Sequence, residues 1–292
     1  MDVTCTMKTT SGRPARRLLP LLGLSALLAL CLLLCSCGSN EQVSLPILMY
    51  HHLLELPEDT NISTPVTCFE EQMRALSEAG YHTVSLEDLL AWVEDGVALP
   101  DKPILITFDD GYESCYRLAY PILQRYGFQA TFFVIGVSVG KTTYKDTDIP
   151  ISPHFSLEQA AEMEASGLIC IQSHGYDIHE VENVDPAPIR KGIRRREGES
   201  EEAYRAFLHE DCAKMRALLG RTPYALSYPG GYCDDLADEV LREEGVRITM
   251  TTKKTVNQLV VGDMQCLWRM GRINCNGSRT GQQLLDLLAG LQ

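Results

Sequence analysis

The sequence predicts a single α/β domain, a barrel of the (β/α) type, on three observations. The 292 residues are 45% hydrophobic and 22% charged, which is typical of a globular protein and excludes disordered, collagen-like and coiled-coil chains. Short apolar runs alternate with segments of helical periodicity, which indicates parallel βαβ units. No change of composition interrupts residues 44–292, and a domain of that size suits such a barrel. An open doubly wound sheet is the alternative.

Charge and cysteine usage exclude two classes of protein. The 26 lysines and arginines and the 39 acidic residues leave a formal charge of −13, whereas nucleic-acid binding needs many cations. The 11 cysteines include no CxxC pair, so a zinc ribbon or a thioredoxin-type motif is not expected. Seven cysteines follow Cys37. That number is odd, so at least one thiol is unpaired, and several lie in apolar stretches typical of core residues.

The N-terminus has the layout of a secretory signal. Residues 1–17 carry four basic residues and one acid, and residues 18–34 are almost entirely apolar. Leu34 and Ser36 ahead of Cys37 resemble the bacterial lipobox, which implies a lipoprotein signal peptide over residues 1–36 and a lipid on Cys37. An uncleaved transmembrane anchor and an ordinary signal peptide are the alternatives. All three place the body outside the cytoplasm, and the lipobox implies attachment to the bacterial cell membrane.

Seven short apolar runs predict strands, and four segments with apolar residues at helical spacing predict helices. Phe69, Met73 and Leu76 recur at helical spacing ahead of Gly80, and Gly127 stops the second predicted helix. The predicted strands are 46–50, 104–108, 130–135, 168–171, 225–228, 247–250 and 272–273, and the predicted helices are 69–76, 115–126, 157–165 and 204–219.

Four polar clusters lie just past four of the predicted strands. They are His51–His52, Asp109–Asp110–Gly111, Ser173–His174 with His179 five residues later, and Pro229–Gly230–Gly231. In a (β/α) barrel and in an open parallel sheet alike, catalytic groups lie at the carboxyl ends of the strands. The clusters are therefore expected to form one site.

The residue types of these clusters suit metal-assisted hydrolysis. Two adjacent carboxylates repel each other, and a metal ion stabilises one of them as a ligand. One Asp and two His are a sensible ligand set for a catalytic divalent metal with an open position for water. The other Asp is then free to act as general base while the metal activates water for attack on a carbonyl carbon. Taken singly, an Asp-Asp-Gly is more often a turn and a lone His is more often structural.

The residues around these clusters resemble the polysaccharide deacetylase family, carbohydrate esterase family 4. The resemblance covers residues 46–275 and lies in TFDDG at 107–111, Ser173–His174, RTPY at 221–224 and YPGG at 228–231. LMYHH at 48–52 and the spacing from His174 to His179 resemble the branch that contains the secreted poly-N-acetylglucosamine deacetylases of biofilm systems.

This resemblance implies a deformed (β/α) barrel of about seven parallel strands over residues 45–292, with residues 37–44 as a linker. It implies a hydrolase that uses a divalent metal ion, with zinc expected, to remove N-acetyl groups from N-acetylglucosamine-containing cell-surface polysaccharide. The polymer is poly-N-acetylglucosamine or peptidoglycan-like, and acetate is released. The implied roles are general base for Asp109, metal ligand for Asp110, His174 and His179, general acid for His51, oxyanion stabilisation through the N–H of Gly230, and orientation of Asp109 for Arg272.

The sequence departs from the family pattern at three places. No histidine follows Trp268, although most members carry their catalytic His near the C-terminus, so activity depends on His51. Gly175 stands where Thr or Ser is common, and Gly230 stands where Tyr is common. These departures leave the identity of the glycan open.

Two rival functions and one charged segment complete the expectations. The rivals are a glycan O-acetyl esterase with the same site and a non-catalytic glycan- or solute-binding lipoprotein. The basic cluster Arg190–Arg196 precedes a run of glutamates and is expected to be a solvated loop, with contact to an anionic cell-wall polymer as the alternative. The expected partners are the N-acetylated glycan and the membrane, and the protein is expected to be a monomer.

Overall fold

A parallel β-sheet forms the centre of the computed structural model, which describes residues 1, 2, 4, 41–56, 62–182 and 184–291. The strands are β1 Gln42–Leu45, β2 Ile47–Tyr50, β3 His52–Leu54, β4 Ser63–Pro65, β5 His82–Thr83, β6 Pro103–Phe108, β7 Ala130–Val134, β8 Ile169–Ser173, β9 Ala225–Ser227, β10 Ile248–Met250, β11 Asn257–Val260 and β12 Ile273–Asn274. Seven of them lie side by side in the order β10-β9-β8-β7-β6-β2-β12, and the short β5 pairs with the start of β6.

The sheet curls until one segment contacts both of its edges. Ile273 of β12 pairs in parallel with Leu48 of β2. Three residues earlier, Met270 pairs in parallel with Met250 of β10 at the other edge. This closure makes the fold a deformed (β/α) barrel of seven parallel strands and rules out the open doubly wound sheet.

Helices pack around the outside of the sheet. They are α1 Val66–Glu78, α2 Leu86–Asp95, α3 Tyr120–Tyr126, α4 Leu157–Ala165, α5 Glu201–Leu219, α6 Asp235–Glu243 and α7 Gly281–Ala289. Serines cap α2 and α4 in reciprocal capping boxes, which satisfy the free N–H groups of each first turn. Every residue of β2, β6 and β7 is buried, as expected for parallel strands covered on both faces.

The predicted strands and helices are confirmed, with shifts at their ends. The predicted helix 115–126 begins as a π-helical turn, Cys115–Ala119, before α3. Pro121 has no N–H, so the regular hydrogen-bond ladder cannot run unbroken through this turn. The last predicted strand begins at Ile273, which leaves Arg272 just ahead of it.

The predictions for the N-terminal segment and for the cysteines have different outcomes. Most of the signal peptide, Cys37 and residues 38–40 of the predicted linker lie outside the described residues. No helix within the described part of the chain is long and apolar enough to cross a membrane. The seven described cysteines are all free thiols, and Cys115 and Cys275 are buried in the core.

The expectation of a solvated loop at Arg190–Arg196 is wrong for Arg190. Its side chain is 2% exposed and donates two hydrogen bonds, of 2.8 and 3.0 Å, to the carboxylate of Glu199. The guanidinium carbon lies 3.9 Å from the ring centroid of Phe207 on α5, a cation–π contact. Arg196 forms a second ion pair, with Glu180. The order of charges along the sequence cannot show which basic residue pairs with which acidic residue, or whether the pair is buried.

Replacing Arg190 by Ala should lower the free energy of unfolding by about 3 kcal/mol, because Glu199 is left half-buried without its partner. The same change at the exposed Arg195 should alter stability by less than about 0.5 kcal/mol. Burial raises the pKa of Glu199, but the hydrogen bonds from Arg190 outweigh it, so the net pKa lies below the ordinary 4.5. The pair therefore stabilises the fold above that pH, and the deficit should shrink as the pH falls below it. Urea unfolding of both variants at pH 7 and pH 4 measures this, and equal losses at pH 7 would contradict it.

Candidate active site

Two consecutive aspartates follow β6, a fully buried interior strand of the sheet. The N–H of Asp109 donates to the carbonyl of Tyr50, 3.0 Å away, which fixes the end of β6 against β2. Asp110 has a left-handed backbone, with φ of 72°, a conformation that Asp adopts more readily than most residues. This turn sends the two carboxylates into different surroundings. Both side chains are buried.

Asp109 forms a fully buried ion pair with Arg272. The guanidinium donates from Nη1 to Oδ1 over 2.8 Å and from Nη2 to Oδ2 over 2.7 Å. Ser227, at the end of β9, donates to Oδ2 over 3.2 Å. Burial raises the pKa of Asp109, but the charges of Arg272 and His174 outweigh burial, so the net pKa lies below its usual value. Asp109 is therefore ionised and oriented.

Asp110, His174 and His179 converge on a second point. One ligand atom from each lies within 4.8 Å of the others, and His174 Nε2 is 3.4 Å from Asp110 Oδ1. Burial raises the pKa of Asp110, but the hydrogen bond and charge of His174 outweigh it and hold the pKa well below its usual range. Two imidazoles and one carboxylate thus face a common centre.

The hydrogen bonding of His174 makes this cluster suitable for a divalent metal ion. His174 Nδ1 lies 2.8 Å from the carbonyl oxygen of Ser227, and a carbonyl can only accept, so Nδ1 carries the hydrogen. In the neutral ring, Nε2 then carries a lone pair on the side of Asp110 and His179. This is the usual arrangement of a metal-binding histidine, whose second nitrogen is held by a carbonyl or carboxylate. The donor set suits zinc with open coordination positions.

The two consecutive histidines after β2 have different surroundings. A charged His51 would lie close enough to lower the pKa values of both Asp109 and Asp110. Its Nδ1 is buried and, within the part of the chain that the structure describes, has no hydrogen-bond partner. His52 begins β3, stacks on the ring of Tyr112 at 4.7 Å and bonds Ser114 through Nδ1 over 2.7 Å. The two histidines are therefore not equivalent.

A cavity adjoins the cluster on the side of His179. Its volume is about 780 Å³, and it lies between the loop after β8 and the loop after β9. His179, Gly230 and Tyr232 all line it. Gly230 has φ of 61°, and a Cβ there would lie 3.0 Å from the ring of Tyr232. Glycine is thus favoured by both backbone conformation and space.

The structure brings the predicted site residues to one end of the barrel, with Gly230 on the wall of the adjoining cavity. Sequence reasoning missed Ser227, which contacts Asp109, Arg272 and His174. It also missed Tyr112, whose pKa is raised by burial and by the nearby charge of Asp110. Ser227 ends β9 and Tyr112 follows β6, so both lie near the carboxyl end of a strand, as the predicted residues do. That position was the signal by which the sequence could have identified them. His154 lies against the ring of Tyr112, 5.0 Å between centroids.

A family model described as polysaccharide deacetylase matches residues 96–249. YxkH of Bacillus subtilis is 29% identical over 215 residues, which cover 74% of this chain and 67% of that protein. A poly-β-1,6-N-acetyl-D-glucosamine N-deacetylase of Staphylococcus aureus is 26% identical over 194 residues, 65% of this chain and 61% of that protein. The chain therefore spans about two thirds or less of the length of these relatives.

Solved structures share the fold. A de-N-acetylase from Aggregatibacter actinomycetemcomitans superposes with a TM-score of 0.69 at 22% identity, over 84% of this chain and 99% of that one. IcaB from Ammonifex degensii gives a TM-score of 0.67 at 27% identity, over 83% of this chain and 96% of that one. Both alignments extend well beyond the stretch that the family model matches.

Replacing His174 or Asp110 by Ala should abolish retention of a divalent ion, because each removes one of three donors. The exposed His82, which bonds a backbone carbonyl away from the cluster, provides the matched control, and His82→Ala should retain the ion. Elemental analysis after dialysis against zinc and then buffer measures this. Stoichiometric zinc in His174→Ala would show that the ion binds elsewhere.

Proposed function

The chain belongs to the polysaccharide deacetylase family, and from that premise we propose that it removes N-acetyl groups from a poly-β-1,6-N-acetylglucosamine polymer by metal-dependent hydrolysis. The match of the family model confirms the predicted family and enzyme class. The observation that carries the proposal is the Asp110, His174 and His179 cluster beside an arginine-held carboxylate. The name of the similar Staphylococcus aureus protein, a poly-β-1,6-N-acetyl-D-glucosamine N-deacetylase, supports the choice of polymer.

Asp110, His174 and His179 would hold the divalent ion, with zinc as the proposed metal. When bound, such an ion supplies Lewis acidity, which polarises the amide carbonyl and lowers the pKa of water. The protein orients this cluster through Ser227, whose carbonyl accepts from His174 Nδ1. The tautomer of His174 is thus set before any ion binds.

Asp109 is the proposed general base. Both of its oxygens accept hydrogen bonds from Arg272, so the carboxylate cannot rotate towards Asp110 or the solvent. Its lowered pKa keeps it ionised near neutral pH, in the form that can accept a proton from water. Arg272 acts through Asp109, as a positioning residue.

His51 is the proposed general acid. An amine is a poor leaving group, so the departing nitrogen must receive a proton as the C–N bond breaks. The buried Nδ1 of His51 has no hydrogen-bond partner among the described residues, so no described protein group fixes the tautomer of this ring. His52 is held on Tyr112 and Ser114 instead. The N–H of Gly230, on the wall of the adjoining cavity, is the proposed donor to the oxyanion.

Acetate release tests the substrate. Purified protein loaded with zinc should release acetate from β-1,6-linked N-acetylglucosamine oligomers faster than from peptidoglycan or chitin fragments. Asp109→Asn, which keeps the shape of the side chain and removes its charge, is the matched inactive control. Faster release from an O-acetylated glycan such as xylan would instead establish an ester-cleaving enzyme. Absence of release from every acetylated glycan would favour a binding protein.

Replacing His51 by Ala should lower kcat at least about a hundredfold, because a general acid typically contributes 10² to 10⁴ in rate. Bound zinc should be unchanged, since His51 is not one of the three converging residues. His52→Ala is the matched control, with a much smaller expected effect on kcat. Steady-state kinetics and metal content of both variants measure this. A near-normal kcat for His51→Ala would assign the acid elsewhere, with His154 the next candidate.

We further propose that the protein is a lipoprotein of the bacterial cell membrane, attached through Cys37. Leu34 and Ser36 ahead of Cys37 support this. The mature protein should begin at Cys37 with acyl chains on its sulfur, and Cys37→Ala should remain unlipidated. Mass spectrometry of the N-terminal peptide measures this, and a retained Met1 or an unacylated terminus would contradict it.

A further inference from the structure

Both converging histidines stand on one short loop, so the shape of that loop decides whether they meet. His174 directly follows β8, and its N–H donates to the carbonyl of Val134 on β7 over 2.9 Å. Gly175 then turns the chain with φ of 82°. Four residues later His179 returns to within ligand distance of His174 and Asp110. A small change in this turn would separate the ligand atoms.

One carboxylate from outside the loop accepts two of its backbone amides. Asp211, in the middle of α5, accepts from the N–H of Tyr176 at Oδ2 and from the N–H of Asp177 at Oδ1, both over 2.8 Å. The N–H of Gly175 bonds the hydroxyl of Ser173 instead. Of the three consecutive amides after His174, Asp211 therefore satisfies two.

This contact is costly to form. Asp211 is 7% exposed, and burial raises its pKa to about 6 despite the two amide hydrogen bonds. The negative charge of Asp177 raises the pKa further, whereas Lys214 opposes the increase. A buried carboxylate is tolerated only where it is well hydrogen-bonded, and the two loop amides provide that compensation. In return, two N–H groups that would otherwise lack an acceptor are satisfied.

The far end of the loop is held by packing. Ile178 is 1% exposed and belongs to the same apolar cluster as Tyr204 and Leu208 of α5. A Cβ on Gly175 would lie 2.1 Å from Ile178, so the turn is closed tightly on itself. Helix α5 thus holds the loop twice, once through an apolar contact and once through Asp211.

We propose that Asp211 is a positioning residue for the metal centre, whose carboxylate holds the amides of Tyr176 and Asp177 so that His174 and His179 present their nitrogens to one divalent ion. The inference rests on the proposed metal site. Asp211 makes no contact with the ion in this scheme. Asp211 makes binding of the ion more favourable, because it holds the loop between His174 and His179 in the conformation that binds the ion.

The test is the affinity for Zn²⁺ of Asp211→Asn. The amide oxygen can still accept from one loop N–H, whereas the NH₂ group faces the other and cannot accept. The dissociation constant should rise about tenfold or more, the lower range for loss of an outer-shell contact. Glu210→Gln is the matched control. It removes the same charge from the adjacent position of α5, where Glu210 is exposed and pairs with Lys214, and its dissociation constant should be unchanged.

A second measurement separates positioning from folding. Activity of Asp211→Asn should recover as the Zn²⁺ concentration is raised, with kcat at saturating zinc within about threefold of the native protein. A loss that no amount of zinc restores would overturn the proposal. If Asp211→Asn does not fold, hydrogen exchange of the native protein tests the role of Asp211 instead. The amides of Tyr176 and Asp177 should be protected and gain protection on adding Zn²⁺, and unprotected amides would overturn the proposal.

His179→Ala distinguishes this inference from the function on which it rests. Unchanged zinc affinity in His179→Ala would refute the proposed metal site itself. Lost affinity in His179→Ala, together with affinities within twofold of each other for Asp211→Asn and Glu210→Gln, would refute only the role of Asp211.

Discussion

The barrel and its candidate site both depend on the buried guanidinium of Arg272. Its side chain is fully buried, and its five hydrogen bonds reach Thr107 and Asp109 from β6, Ser227 from β9 and the carbonyl of Thr251 after β10. Transfer of an ion pair out of water is costly, and the bonds use all of the donors that a guanidinium has. Because Arg272 lies between Met270 and Ile273, which join the two edges of the sheet, the contacts that complete the barrel also orient Asp109.

Ser227 connects this ion pair to the metal-ligand cluster. Its hydroxyl lies between Arg272 and Asp109, and its carbonyl accepts from His174 Nδ1. One residue at the end of β9 therefore sets both the orientation of the proposed base and the tautomer of one ligand. The two adjacent aspartates can then differ in role, because Asp109 is compensated by an arginine and Asp110 by two imidazoles.

Buried charges outside the site hold the long segment that follows β8. Asp211 accepts from the loop between the two histidines. Glu180, next to His179, accepts from the backbone N–H of Arg190 and pairs with the side chain of Arg196. Removing one partner of such a pair is destabilising, because the other charge is then left without compensation. A loop with little regular secondary structure can hold two ligand nitrogens in place when its polar groups are satisfied in this way.

The sequence by itself determined the alternation of the seven predicted strands with helices and the positions of the polar residues at the strand ends, and it left a barrel and an open doubly wound sheet as alternatives. Hydrophobic periodicity is a local property, and the carboxyl ends of parallel strands necessarily meet at one end of a barrel. Asp109, Asp110, His51 and His174 could therefore be predicted as neighbours. Only the tertiary structure decided that Met270 and Ile273 join the two edges of the sheet, that Arg190 is buried, and that Ser227 and Asp211 hold the site. These contacts join residues far apart in the chain, and no local pattern encodes which buried polar group satisfies another.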